Sequence, residues 1–313
     1  MGVKLLILFI FILLIGLFIF GMTLLRSGLA TISKESFKTR LTHFTDTPWK
    51  GLLAGILITC ILQSSSAVMV ITLGFISTGM LSFTQSIGII LGTNIGTTIT
   101  TELITFDIQA YLIPLMILSI VCLLVRKKEI QSIGLILLGI SFVFTAMGGF
   151  EYLARPLGEA PFMSPLLLSL NDSYLLSVLA GMILTGIIQS STATTGIIMG
   201  FLTNGAMDID TGVAIILGSN IGTCVDVLLA SIGGGREAKL TAYAHVWLNV
   251  LGVIAFYPFI EWLANVGKEL AQSPDVQLAH TSVLFNVICS LLVLPFAKSF
   301  GDMILKIHDK KGI

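Results

Sequence analysis

The sequence predicts an all-α polytopic membrane protein with two inverted-topology repeats, each holding a re-entrant hairpin made from a broken helix. Three observations predict it. First, 55% of the 313 residues are hydrophobic and only 11% are charged, with mean hydropathy +1.00, whereas a soluble domain carries about 25% charged residues. Second, the charges fall in clumps between apolar stretches near the roughly 20 residues that a membrane-crossing helix needs. Third, two sequence blocks recur in a single register.

The apolar segments run 4–25, 52–78, 83–103, 111–125, 131–150, 175–204, 211–232, 240–264 and 280–300. Lys4 followed by the apolar run Leu5–Leu25 resembles a signal peptide, but the run is too long and no small-x-small cleavage site follows it. A retained transmembrane helix is expected there. Segments 52–78 and 175–204 are long and polar at their centres, which suits either a tilted span or a hairpin that returns to its own side. Basic residues favour hairpins. With an extracellular N-terminus and two hairpins, fourteen of the 17 Lys and Arg fall in cytoplasmic loops, and only Lys4, Arg155 and Lys268 lie outside. That is the positive-inside pattern. It places Arg26–Lys50, Arg126–Lys128, Arg236–Lys239 and a C-terminal tail with Lys310 and Lys311 in the cytoplasm of a cell-membrane protein. The implied organisation is an N-terminal helix (1–25), repeat 1 (26–125), a cytoplasmic loop and linking helix (126–150), and repeat 2 with the tail (151–313).

The repeat has a fixed offset of 126. Ala54–Ala67 reads AGILITCILQSSSA and Ala180–Ala193 reads AGMILTGIIQSSTA; Ile89–Thr97 reads IILGTNIGT and Ile215–Thr223 reads IILGSNIGT. Repeats inverted about the membrane, each broken at a matching position, point to a secondary-transporter binding site.

The first motif, Gln63-Ser64-Ser65-Ser66 with its copy Gln189-Ser190-Ser191-Thr192, puts four adjacent polar side chains into hydrocarbon. Serine side chains compete with helical backbone bonding, and irregular backbone is tolerated at membrane depth where it lines a cavity. A break exposes N–H groups at a half-helix N-terminus, which suits an anion. The Ser and Thr hydroxyls add donors, while the Gln63 and Gln189 amide oxygens suit Na+. One such stretch alone could be interhelical glue; two in register favour function. In the second motif, Gly92–Thr97 and Gly218–Thr223, glycines at spacing four allow close helix approach. The polar residues between them exceed what packing requires. Asn94 and Asn220 are expected to help close the anion site. Thr93, Thr97, Ser219 and Thr223 are expected near the cation.

Asp226 lies well inside its segment, where an acid costs roughly 2.5–3.5 kcal/mol on insertion scales; a sodium or proton partner and a buried ion pair are both open. Glu102, near a span end, reads as interfacial. His245 and Asn249 share a helix face, whereas His280 and Asn286 do not. The four cysteines sit singly in apolar stretches, with no zinc or disulfide spacing. Zero formal net charge gives no hint of a nucleic-acid partner, and no nucleophile–base pair suggests an enzyme. No lysine or arginine lies inside a motif-bearing span, so a coupling cation is expected to supply the positive charge for a buried anion.

Paired QSSS-type motifs, each followed by a G-x-N-I-G-T block, resemble the sodium–phosphate cotransporter family, the type II Na+/Pi cotransporters and their bacterial relatives. The resemblance covers roughly Lys50 to Phe300 and includes Arg236-Glu237-Ala238-Lys239, Ala244-His245 and Asn249. It implies sodium-coupled import of inorganic phosphate, with sodium co-transported and no organic cofactor. Thr192 replaces a serine but keeps the hydroxyl. Gly233–Gly235 stand where some members carry an aspartate linked to an additional sodium. Another small anion, proton coupling, a non-transporting regulatory role and homodimer formation stay open at this level.

Overall fold

In the computed structural model residues 2–33 and 47–308 are described, and every regular element among them is helical. Lys34, Lys38, Arg40, Lys310 and Lys311, all assigned above to the cytoplasm, lie outside these residues. The chain runs α1 (Gly2–Ser33), α2 (Pro48–Leu62), α3 (Ser65–Ser77), α4 (Phe83–Leu103), α5 (Leu112–Leu124), α6 (Lys128–Gly158), α7 (Ser164–Asp172), α8 (Tyr174–Ile188), α9 (Ser191–Thr203), α10 (Ile209–Gly222), α11 (Cys224–Ala230), α12 (Gly235–Phe256), α13 (Ile260–Leu270), α14 (Pro274–Val293) and α15 (Ala297–His308). Among the described residues, five helical stretches are long and apolar enough to cross a membrane.

The 126-residue register is visible in the backbone. The bounds of α2 and α8 correspond residue for residue, as do those of α3 and α9; α4 corresponds to α10 plus α11, which divide at Thr223. The correspondence reaches further upstream than the sequence motifs, because α1 and α6 begin 126 residues apart and have nearly equal length. The boundaries drawn at 25/26 and 150/151 therefore fall inside helices. Polar residues near the helix ends marked the edge of the hydrocarbon-like sequence, not the end of the helix. Gly21 lies against Gly139 and Gly28 against Ser132, so α1 and α6 pack antiparallel. Phe11, Phe18, Phe150 and Phe201 cluster at their junction with α9.

Both breaks fall in the polar motifs. α2 ends at Gln63 in the left-handed region (φ 52°, ψ 32°) and α8 at Gln189 (φ 56°, ψ 32°). Extended Ser64 and Ser190 then cap the next helices, accepting from the N–H of Ala67 and of Ala193 at 3.2 Å each. A serine N-cap satisfies one of a helix's orphan donors. The first arm of each broken pair is pressed against the following helix through glycine. A Cβ on Gly92 would collide with the Leu52 carbonyl, and one on Gly218 with the Val178 carbonyl.

A second, shorter repeat organises the C-terminal part. Ala242/Ala279, Asn249/Asn286, Val250/Val287, Pro258/Pro295 and Phe259/Phe296 recur 37 residues apart. Each copy is a long helix, a 3-10 turn (Tyr257–Phe259; Leu294–Phe296) and a short amphipathic helix. The amphipathic helices bury one face: Ile260, Leu263, Ala264 and Gly267 in α13; Ala297, Gly301 and Ile304 in α15, the spacing of a single stripe. The long helix α12 packs on α3 and α4, and α14 on α4, α9 and α10.

Candidate functional site

The two breaks line one cavity. Its wall contains Gln63, Ser64, Ser65 and Ser66 from the first motif, Gln189, Ser190, Ser191 and Thr192 from the second, together with Thr97, Thr100, Thr223 and Arg26. The first residues of α3 and α9 meet there, and the leading N–H groups of a helix have no intrahelical acceptor. Those of Ser65 and Ser66, and of Ser191 and Thr192, therefore join the helix dipoles in favouring negative charge. Among the described residues, the hydroxyls of Ser65, Ser191 and Thr192 have no protein hydrogen-bond partner. These are unspent donors facing a polar space.

Oxygen ligands adjoin the donors. The Gln63 Oε1 atom is buried without a partner, while its Nε2 donates to the Cys60 carbonyl at 2.5 Å. Asp226 accepts from the Ser66 hydroxyl at 2.6 Å, which ties α3 of the first repeat to α11 of the second. A carboxylate and an orphaned amide oxygen suit a cation that prefers oxygen.

The remaining predicted residues divide. Asn94, Ser219 and Asn220 line an adjoining cavity with Ser282 and Asn286, and Ser65, Thr97, Ser191 and Thr223 line both cavities. Asn94 donates to Asn249 Oδ1 at 3.0 Å and Asn220 to the Ile216 carbonyl at 2.8 Å. Neither touches the cavity between the motifs. Thr93 is fully buried, bonds the Ile90 carbonyl at 2.8 Å and lines neither cavity. Its counterpart Ser219 lies 2.8 Å from the Thr185 hydroxyl. His245 is buried with Nδ1 unpartnered and also lines neither. Glu102 is paired with His280 at 2.8 Å, joining α4 to α14.

The expectation that no fixed positive charge reaches the site is corrected by Arg26. Sequence reading put it in a loop; instead α1 continues to Ser33 and carries Arg26 into the cavity wall, where Nε donates to the Gln63 carbonyl at 2.9 Å. Thr100 was also missed. The signal for it was available, because Thr100 stands 126 residues before Asp226. The signal for Arg26 was the absence of any helix breaker between Leu25 and Ser33 except Gly28.

A multi-pass helical membrane protein whose broken helices aim their N-termini into one internal polar cavity has the build of a secondary transporter. The chain belongs to the Na+/Pi-cotransporter family, which it matches over residues 17–151 and 160–272. It is 42% identical over 299 residues to "Uncharacterized protein YqeW" of Bacillus subtilis (strain 168), covering 96% of this chain and 97% of that one. It is 23% identical over 286 residues to "Putative inorganic phosphate export protein YjbB" of Salmonella typhimurium, covering 91% of this chain but 52% of that protein. It is 32% identical over 127 residues to "Sodium-dependent phosphate transport protein 2A" of Ovis aries, covering 37% of this chain and 19% of that protein. No solved structure matches.

Proposed function

We propose that the protein is a sodium-coupled symporter that carries inorganic phosphate into the cell. The observation that carries this reading is the convergence of Gln63–Ser66 and Gln189–Thr192 on one cavity, with unspent hydroxyl and N–H donors beside carboxylate and amide oxygens. Ser64–Ser66 and Ser190–Thr192 hold the anion. Gln63, Gln189, Thr97, Thr223 and Asp226 supply oxygens to sodium, while Asn94, Asn220 and Ser219 shape the adjoining cavity and Thr93 acts only through packing. Antiparallel packing of the corresponding helices α1 and α6 supports the inverted arrangement. The two motif-bearing pairs are re-entrant hairpins, the N-terminus is extracellular and the C-terminus cytoplasmic.

The purified chain in liposomes provides the test. Radiolabelled phosphate uptake should rise several-fold under an inward sodium gradient over a choline gradient of equal ionic strength. Equal uptake in the two salts rejects sodium coupling, and no uptake in either rejects phosphate carriage. The likeness to proteins named for phosphate export favours a second reading, in which the same site loads inside and empties outside.

A further inference from the structure

Among the described residues, Arg26 is the only basic side chain lining either of the two adjoining cavities. The repeat is asymmetric at this point. α1 brings a guanidinium to the wall, while its counterpart α6 contributes no residue to it. The opposite charge is asymmetric too. Asp226 comes from the second repeat, and the corresponding residue of the first, Thr100, is uncharged. A positive charge from one repeat and a negative charge from the other thus flank the same motif: Arg26 bonds the Gln63 carbonyl, and Asp226 takes the Ser66 hydroxyl. They lie within range of each other's charge, yet no ion pair within 4 Å joins them. Among the described residues, the Arg26 Nη groups have no hydrogen-bond partner.

This geometry suits an anion. Phosphate carries between one and two negative charges at neutral pH, and an uncompensated buried ion is costly. A guanidinium presents a planar fork that matches two phosphate oxygens. Here Nε is spent on the backbone, which fixes the guanidinium plane and leaves the terminal nitrogens for a ligand. Asp226 opposes the same anion by its charge. A cation bound at Asp226 cancels that repulsion and lets the Arg26 field act unopposed.

We propose that Arg26 is a resident anion-binding cation of this site and Asp226 its counter-charge, so that sodium raises phosphate affinity chiefly by neutralising Asp226. The inference rests on the phosphate reading above. It alters what sodium is for: the coupling cation is a switch on a charge the protein already holds, rather than the sole source of positive charge.

Equilibrium binding of radiolabelled phosphate to the purified full chain tests it, in sodium chloride and in choline chloride at one ionic strength. Arg26→Gln should weaken binding about tenfold or more in both salts, the scale of a lost charge-assisted contact. Arg26→Lys should recover part of it. Asp226→Asn should raise affinity in choline chloride towards the sodium value and lose most of the sodium response. Arg26→Gln binding like wild type in both salts overturns the proposal, as does Asp226→Asn keeping the full sodium response. Should Arg26→Gln fail to give monodisperse protein, the Asp226→Asn arm decides alone. Wild-type protein that binds phosphate in neither salt rejects the phosphate reading together with this inference; wild type that binds, with an unaltered Arg26→Gln, rejects only the role of Arg26.

Discussion

Gln63 and Gln189 are the only non-glycine residues with positive φ among those described. A non-glycine residue held in the left-handed region costs of order 1–3 kcal/mol, and such strain gathers at functional sites. Both glutamines sit where α2 and α8 must stop so that Ser64 and Ser190 can cap the next helices. Replacement by glycine removes the strain but adds chain entropy to the unfolded state, costing about 0.5–1 kcal/mol. Gln63→Gly and Gln189→Gly should therefore melt within a few degrees of wild type in detergent. Under the proposed sodium reading, Gln63→Gly should nevertheless lower sodium affinity, because it removes the orphaned Oε1. A large loss of melting temperature with unchanged sodium affinity would make these residues structural supports only. The motif itself was legible in the sequence, since four polar residues at the middle of an apolar run must either break the helix or find partners. Its backbone geometry was not, because glutamine is no usual left-handed residue. Arg26 was misplaced for a different reason: a charge at the edge of an apolar run reads as the end of a span, although no breaker but Gly28 stands between Leu25 and Ser33 and the helix continues past it.

At the scale of elements, glycine decides how closely the broken helices approach their supports. An alanine at Gly218 would drive its Cβ into the Val178 carbonyl, whereas Gly74, exposed in the last turn of α3, has open space at that position. Overpacking costs typically 1–3 kcal/mol, while alanine in an exposed helix position gains up to about 1 kcal/mol over glycine. Gly218→Ala should lower the melting temperature clearly, and Gly74→Ala should hold or raise it. The reverse order would mean that α8 and α10 are not in close backbone contact at Gly218. Glycine spacing in the second motif announced close packing from the sequence alone. The 37-residue repeat did not, because a few identities between two apolar helices are easily lost among residues that any membrane helix would carry. It became visible when the two 3-10 turns and their prolines fell into register. Asn249 meets Asn94, and its counterpart Asn286 lines the cavity that Asn94 and Asn220 share.

Across the whole molecule, the proposed topology places Lys128, at the start of α6, in the cytoplasm and Asp208, just before α10, outside. Single cysteines at these two positions, in a chain otherwise free of cysteine, should react with an impermeant thiol reagent from opposite sides of sealed vesicles. Labelling of both from one side would refute the arrangement. The all-helical build and the position of the breaks could be read from composition and repetition; the extent of each repeat could not, because α1 and α6 share little sequence and are recognisable as counterparts only by length, place and contact. Two matching breaks around a single cavity contain no built-in valve. By microscopic reversibility, each step that admits a solute from one side is the reverse of a step that releases it there. Under the proposed carrier reading, the direction of net flow belongs to the ion and phosphate gradients.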